Sequence, residues 1–525
     1  MSLHSVGPAV LLGVVSVAVG CAPEPAAVVA DLPIVDLSVG PAFPLDGHLG
    51  SANVAGGGMT FEELFEAGDA LFHTSYNGDD GVGMLRLPDG TPFPRFAPRP
   101  AGHGFGGEIS SQSCGACHRG AASGAAHTTV FSDPDNDGVP PFAVRSTTSL
   151  FGNGLVQLLA QELTEELQAI REEAAAAARE TPGTPALRVL SAKGIDYGTI
   201  VASADPAGNL IFDVSGRQGV DPDLVVRPFG WKGNVTTVRS NTVGAANFLM
   251  GMQADELVWK LEARGVPGPD TDGDGVSPEL TVGDITAMVV YGAAQETPQG
   301  VGRLVDLGMV QAPNAEERAA IERGRQAFDS AGCAVCHIPD LHLRNTVFEE
   351  PTGRAQGAYM DHFLAGRDPA YDPQRPVLFD LLSQSEEPRV EAHPEGGAIL
   401  RLFGDLKRHG MGRQLADAAG PQPSITANFA PLEFEGQVVM IPVTEFLTPE
   451  LWGVGNTGPW LHDGRAATLQ EAVLFHGEDD PPAPGDPWRS EAQEARDAFG
   501  SLRAEDQKAL LTFLRSLTTF SLPGS

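Results

Sequence analysis

Over much of the chain the apolar positions recur at helical spacing. Thr60 and Glu63 form a capping box ahead of Phe61, Leu64, Phe65 and Leu71, which predicts a helix from about Thr60 that Asn77-Gly78 closes. Residues 159–180 read as a polar helix with an alanine run from Ala174 to Ala178. Ile195 to Val214 has the pattern of a β-hairpin turning at Asp205-Pro206-Ala207-Gly208-Asn209, so 159–225 reads as an insertion. A helix follows from about Val282 to Ala293, and a boundary lies between 294 and 313. Asn314 and Glu317 then cap a helix carrying Ile321, Gly324 and Phe328 on one face. The last helix, near Glu505 to Leu517, carries Leu510, Leu511, Phe513, Leu514 and Leu517. At the other end, the apolar run Val10 to Val19 is too short to span a bilayer and sits where the core of an export signal belongs. Residues 22–58, rich in Ala, Pro and Gly, read as a tether.

Between these elements stand two copies of one pentapeptide, Cys114-Gly115-Ala116-Cys117-His118 and Cys333-Ala334-Val335-Cys336-His337. A lone Cys-x-x-Cys serves as a redox dithiol or half a zinc site. A His directly after it, occurring twice, points to c-type haem: the thiols add to the porphyrin vinyl groups and the His lies under the iron. Of the 5 cysteines four lie in the motifs, and Cys21 is the fifth, so no pair is left for a disulfide. A helix just before the second motif and another at the chain end make the arrangement of a class I cytochrome c. The expected fold is therefore mainly α, with two cytochrome c-like haem domains (59–300 and 313–525), long loops and a small β-hairpin insertion.

A net charge of −34 excludes nucleic acid as a partner, which needs a basic face. It suits docking of a small basic redox protein, and equally a merely soluble acidic surface. With 63 Gly, 42 Pro and only 7% aromatics, the chain has long loops and would take much of its large apolar surface from porphyrin. Two acidic turns, Asp133-Pro134-Asp135-Asn136-Asp137-Gly138 and Asp270-Thr271-Asp272-Gly273-Asp274-Gly275, suit a calcium ion or a solvated loop; the first has Val144 where an EF-hand needs Glu. Ala18-Val19-Gly20-Cys21 is similar to a lipoprotein cleavage site, although Ala18 replaces the usual Leu. Residues 1–21 are thus expected to be a signal, with Cys21 as a lipid anchor and the periplasm as destination, since haem of this kind is attached outside the bacterial cytoplasm.

The motifs together with Thr448-Pro449-Glu450-Leu451-Trp452-Gly453-Val454-Gly455-Asn456-Thr457-Gly458-Pro459-Trp460-Leu461-His462-Asp463-Gly464-Arg465 resemble the bacterial di-haem cytochrome c peroxidase superfamily, which includes MauG. Phe229-Gly230-Trp231-Lys232, Arg401-Leu402-Phe403-Gly404-Asp405-Leu406, His409-Gly410-Met411-Gly412 and Glu471-Ala472-Val473-Leu474-Phe475-His476 are similar to its branch of di-haem oxidoreductases sometimes labelled thiol oxidoreductases. The resemblance runs from about residue 60 to 518 and is more specific in the C-terminal half. It implies a closed electron-transfer haem at Cys333, Cys336 and His337 and a reactive haem at Cys114, Cys117 and His118. It places His476 where the peroxidases have the sixth ligand Met of the closed haem; a bis-His iron has a lower potential than a His/Met one. His462 and Met411 are rivals for that role, and a surface His is the plain alternative for His476. Trp231 resembles the indole between the haems, the plain alternative being a core Trp. Thr457 and Pro459 match residues whose oxygens bind an inter-haem calcium; the Asn that should accompany them is replaced by Ser146 or stands at Asn153.

One departure concerns the distal side of the reactive haem. The family's peroxide-handling acid falls near Gly251, where none stands, and its amide falls near Asn241; Asp255 and Glu256 are the nearest carboxylates. The leading expectation is an exported peroxidase-like enzyme, reducing peroxide or oxidising a protein side chain as MauG does, with a small redox protein as electron partner. An oxygenase of an apolar substrate, resembling the haem rubber oxygenases, and a plain electron carrier are the alternatives.

Overall fold

Two crossed helix pairs organise the described part of the chain. The structure is a computed structural model describing residues 44, 47–50, 54, 58–82, 111–118, 130–132, 143–263, 265, 276–297, 301–306, 308, 310–350, 376–382, 390–417, 420–427 and 429–518. All lie in one compact unit, Pro41–Ser525. The expected signal, Cys21 and both acidic turns fall outside the described residues, as does the expected tether apart from fragments.

The first pair is Phe61–His73 against Val282–Ala293. Both begin in a complete capping box, Thr60 with Glu63 and Thr281 with Asp284, which satisfies amides that the first helical turn leaves without partners. Leu64, Leu71, Ile285 and Val289 are fully buried. The backbones touch at Gly68, where a Cβ would stand 2.1 Å from the Ala287 carbonyl oxygen. The second pair is Ala315–Ser330 against Ala504–Ser516, opened by the predicted Asn314–Glu317 box. Its contact is Gly324, where a Cβ would lie 2.0 Å from the Ala509 carbonyl oxygen. Phe328 meets Phe513 edge-on at 5.5 Å beside buried Leu510.

The insertion departs from its prediction in two ways. Its helix starts at Asn153, not at 159, and runs to Glu180. Leu155, Val156, Leu158 and Leu159 in its opening turns are buried, a continuous apolar run without the stripe that marks a half-exposed helix. The hairpin is a three-stranded antiparallel sheet: Ile195–Ala204 lies between Ala186–Ala192 and Leu210–Asp213. The extra strand hid because its outward positions carry Leu187 and Val189, so its apolar residues do not track its buried face; a bulge falls between Val189 and Ser191. The predicted turn is present, with Asp205 Oδ1 accepting from the amides of Ala207 (2.9 Å) and Asn209 (2.8 Å). Glu162 fastens the insertion to the C-terminal half. It takes the Lys193 ammonium at 2.5 Å and the amides of Arg344 and Asn345 at 2.8 Å each.

The remaining strands are short and form sheets of two or three, and Leu341, Leu343, Phe348 and Phe379 on them join the core of the first helix pair and the insertion helix. No helix among the described residues is long and apolar enough to cross a membrane.

Candidate haem centres

The second Cys-x-x-Cys-His motif follows its helix at once. Ser330 ends the helix, Gly332 turns in the left-handed region (φ +85°), and Cys333–Val335 form a single turn. His337 lies behind them with Nδ1 2.9 Å from the Phe403 carbonyl, so Nδ1–H donates there and Nε2 keeps its lone pair. Phe403 itself has φ +54°, a costly conformation for a bulky residue that aims this carbonyl at the ring. Burial drops the His337 pKa to about 4, aided by the nearby His476.

His476 stands just beyond the helix Leu469–Leu474, which Thr468 and Glu471 cap. Its Nδ1–H donates to the Ala472 carbonyl at 2.7 Å, again leaving Nε2 as the free lone pair. Burial lowers its pKa, opposed by that hydrogen bond. The His337 and His476 ring centres are 6.4 Å apart with planes at 56°. Two imidazoles sharing one metal through bonds of about 2 Å each would have centres roughly 6 Å apart, free to rotate about the common axis. Two neutral rings with matched tautomers at this separation fit axial ligation of a haem iron. Burial pushes the Cys333 thiol up to about 11, so it is an unionised thiol, and conversion to a thioether removes any cost of burying a charge. Cys114, Cys117, Cys333 and Cys336 are all free of disulfides.

His462 is buried, with its ring 4.4 Å from Phe446 and Nε2 3.8 Å from Asp463. Met411 is fixed by its amide donating to the Thr444 carbonyl at 2.7 Å.

The first motif makes one turn, Cys114–Cys117, set against the end of its helix: a Cβ on Gly115 would meet the His73 ring at 2.6 Å. Burial pushes the Cys114 thiol up to about 12 and drops the His118 imidazole to about 4. His118 Nδ1 is buried without a hydrogen-bond partner, with the Thr148 backbone pulling on it but not completing a bond. Phe72 lies 5.8 Å from the ring. A neutral, half-buried His behind two free thiols is the donor set a second covalent haem requires.

Trp231 sits where segments of both halves meet. Its indole N–H donates to the Ser146 carbonyl at 2.8 Å, and its own carbonyl accepts from the Leu447 amide at 3.0 Å. The Ser146 amide donates to the His462 carbonyl at 2.8 Å, so Ser146 joins Trp231 to the segment holding Thr457 and Pro459. The Ser146 hydroxyl is buried with no partner. Lys232 beside Trp231 is held by the carbonyls of Pro442, Val443 and Glu445 and lies over the Phe446 ring at 4.0 Å.

Asn241 is half-buried on the helix Val238–Ala245. Gly251 ends the following turn with φ +81°, a conformation in which an acid side chain would be strained. Asp255 accepts from the Val282 amide at 3.1 Å. Glu256 is fully buried and paired with Arg239, which also binds Glu350 at 2.5 Å and Thr286 at 3.0 Å. Sequence reasoning missed this cluster, because its members are far apart in the chain. A further cluster, His342, His393 and Glu395, brings one ligand atom from each within 4.8 Å. The two rings stack at 3.6 Å and 16°, so their in-plane lone pairs run parallel instead of converging on an ion.

No family model and no curated protein matches the chain. Among solved structures it is similar to a MauG-like protein associated with microbial copper homeostasis, at 14% identity over 93% of this chain and 96% of that one, with a TM-score of 0.35. It is also similar to hydrazine synthase of Kuenenia stuttgartiensis, at 15% identity over 90% and 95%, with a TM-score of 0.31. Scores of this size carry no residue's role across to this chain.

Proposed function

We propose that the chain is an exported di-haem c-type cytochrome oxidoreductase, peroxidase-like in reducing peroxide or in oxidising a protein side chain as MauG does. The observation that carries this reading is the His337–His476 pair, two neutral rings at axial-ligand separation behind one complete motif, while His118 serves a second. Cys333, Cys336 and His337 would hold a closed haem opposite His476, and Cys114, Cys117 and His118 a reactive one. The bound haems supply one-electron exchange and peroxide activation. The chain's part is to half-bury the ligands, fix the tautomers of His337 and His476 and hold Trp231 rigid between the halves through Ser146 and Leu447. Asn241 can donate a hydrogen bond on the distal side but cannot take a proton near neutral pH. Glu256 is committed to Arg239 and Asp255 to the Val282 amide, so neither is free for the proton transfer a peroxidase carboxylate provides. That favours slow peroxide turnover and oxidation of a partner.

Thr457 and Pro459, with Ser146 nearby through His462, are the calcium ligands in this reading. A small basic redox protein is the electron partner, the periplasm is the location, and Cys21 is the membrane tether. The test is the EPR spectrum of the oxidised protein. One high-spin and one low-spin haem are expected; two low-spin haems in the oxidised protein, with neither iron binding carbon monoxide after reduction, would make the protein an electron carrier instead.

A further inference from the structure

A buried histidine that the haem reading leaves unused lies behind Cys336. His409 follows Asp405 by one helical-turn spacing and is enclosed by three groups. Its Nε2 is 2.8 Å from Asp405 Oδ2, its Nδ1 is 2.8 Å from Glu491 Oε2, and Nδ1 is also 3.8 Å from Cys336 Sγ. A neutral imidazole has one N–H and cannot donate to two carboxylates at once; with both ring nitrogens on carboxylate oxygens, His409 is an imidazolium.

The partners on each side belong to opposite walls of the C-terminal haem site. Asp405 is two residues beyond Phe403, whose carbonyl fixes His337. Glu491 belongs to the segment after His476. Its Oε1 accepts from the Gly410 amide at 2.8 Å, and its own amide donates to the Gly410 carbonyl at 2.7 Å. Next to it, Ser490 Oγ donates to the His476 carbonyl at 2.5 Å. A continuous path therefore runs from His337 through Phe403, Asp405, His409, Glu491 and Ser490 to His476.

We propose that His409 is a positioning residue: held between Asp405 and Glu491, it fastens the distal segment carrying His476 to the proximal wall carrying Cys336 and His337, and so keeps the C-terminal iron closed. This rests on the haem reading above. The Glu491 side chain is 56% exposed, so it can be changed without opening the core. In holoprotein carrying two haems, Glu491→Ala and His409→Leu should convert much of the low-spin C-terminal EPR signal to high-spin and admit added imidazole, leaving the N-terminal signal as it was. Glu491→Gln can still accept the Nδ1–H bond and should keep the wild-type spectrum. Retention of the full low-spin signal in Glu491→Ala, or equal loss in Glu491→Gln, would overturn the proposal; the Glu491 pair decides the matter even if His409→Leu does not fold. A wild-type low-spin signal that His476→Gly leaves unchanged would instead count against the haem ligation itself.

Discussion

The two motif regions share a helix crossing and differ in what surrounds it. Each places a helix before its motif and crosses it with a later one at a glycine, Gly68 against Ala287 and Gly324 against Ala509. In the C-terminal region the motif follows its helix immediately, and a partner imidazole faces His337. In the N-terminal region a long segment separates His73 from Cys114, the closing helix waits until Val282, and His118 keeps an unpaired Nδ1. The close helix contact can be kept while the groups over the iron are exchanged. In the proposed reading, one site would then store an electron and the other react.

The comparison breaks most completely if either motif holds no haem. A pyridine haemochrome assay should give two haems per chain, and Cys333→Ala with Cys336→Ala, or Cys114→Ala with Cys117→Ala, should each leave one. One haem in the wild type would end the two-site account. The next largest effect is at His476. His476→Gly should turn the low-spin C-terminal iron high-spin or let it bind added imidazole. His476→Met should stay low-spin, raise the potential and add the weak near-infrared band of thioether ligation. An unchanged spectrum and potential in His476→Gly would pass the role to His462 or Met411.

These contrasts were legible in the sequence to different depths. The capping boxes at Thr60 and Asn314 work within a few residues, so reading them needs no tertiary knowledge. The motif histidines were equally local. His476 was reached by resemblance, and its tautomer depends on the Ala472 carbonyl, which no side-chain pattern encodes. The Phe403 carbonyl behind His337 was hidden for the same reason. Arg239 and Glu350 carry no local signal, and Glu256 stood out only as a carboxylate near the distal position; ordinary charged residues are exposed, and only the fold brings these three together in the interior. The sheet of the insertion lost a strand because Leu187 and Val189 stand on its exposed face.

The glycine contacts sharpen the comparison through stability. Gly68→Ala and Gly324→Ala each drive a Cβ into a carbonyl oxygen, and each should cost at least about 2 kcal/mol in denaturant unfolding. If the crossings serve their own motifs, Gly324→Ala should loosen the C-terminal haem signals and Gly68→Ala the N-terminal ones. A cost below that of an ordinary surface substitution would show that the helices do not meet as closely as described.

The last effect concerns the ion cluster that links the regions. Arg239 belongs to the helix that carries Asn241, and Glu350 to a strand of the other half. One guanidinium serves two buried carboxylates, so one negative charge is in excess. Burial, only partly offset by Arg239, raises the Glu350 pKa to about 7. It also raises that of Glu256. The folded protein then holds a proton that the unfolded chain has already lost. The contribution of Glu350 is complete below its ordinary value near 4.5 and is lost as pH rises through about 7. Glu350→Gln keeps an oxygen for Arg239 and removes the excess charge. Unfolding measured between pH 5 and 8 should therefore show a wild type that weakens with pH and a variant that weakens less. The variant should be near neutral at pH 5 and more stable than wild type by about 1–3 kcal/mol at pH 8. Arg239→Met, which strands both carboxylates, should cost about 3–5 kcal/mol at the upper pH. Equal pH slopes in wild type and Glu350→Gln would mean that Glu350 is ionised throughout, with Arg239 shared evenly between the two acids.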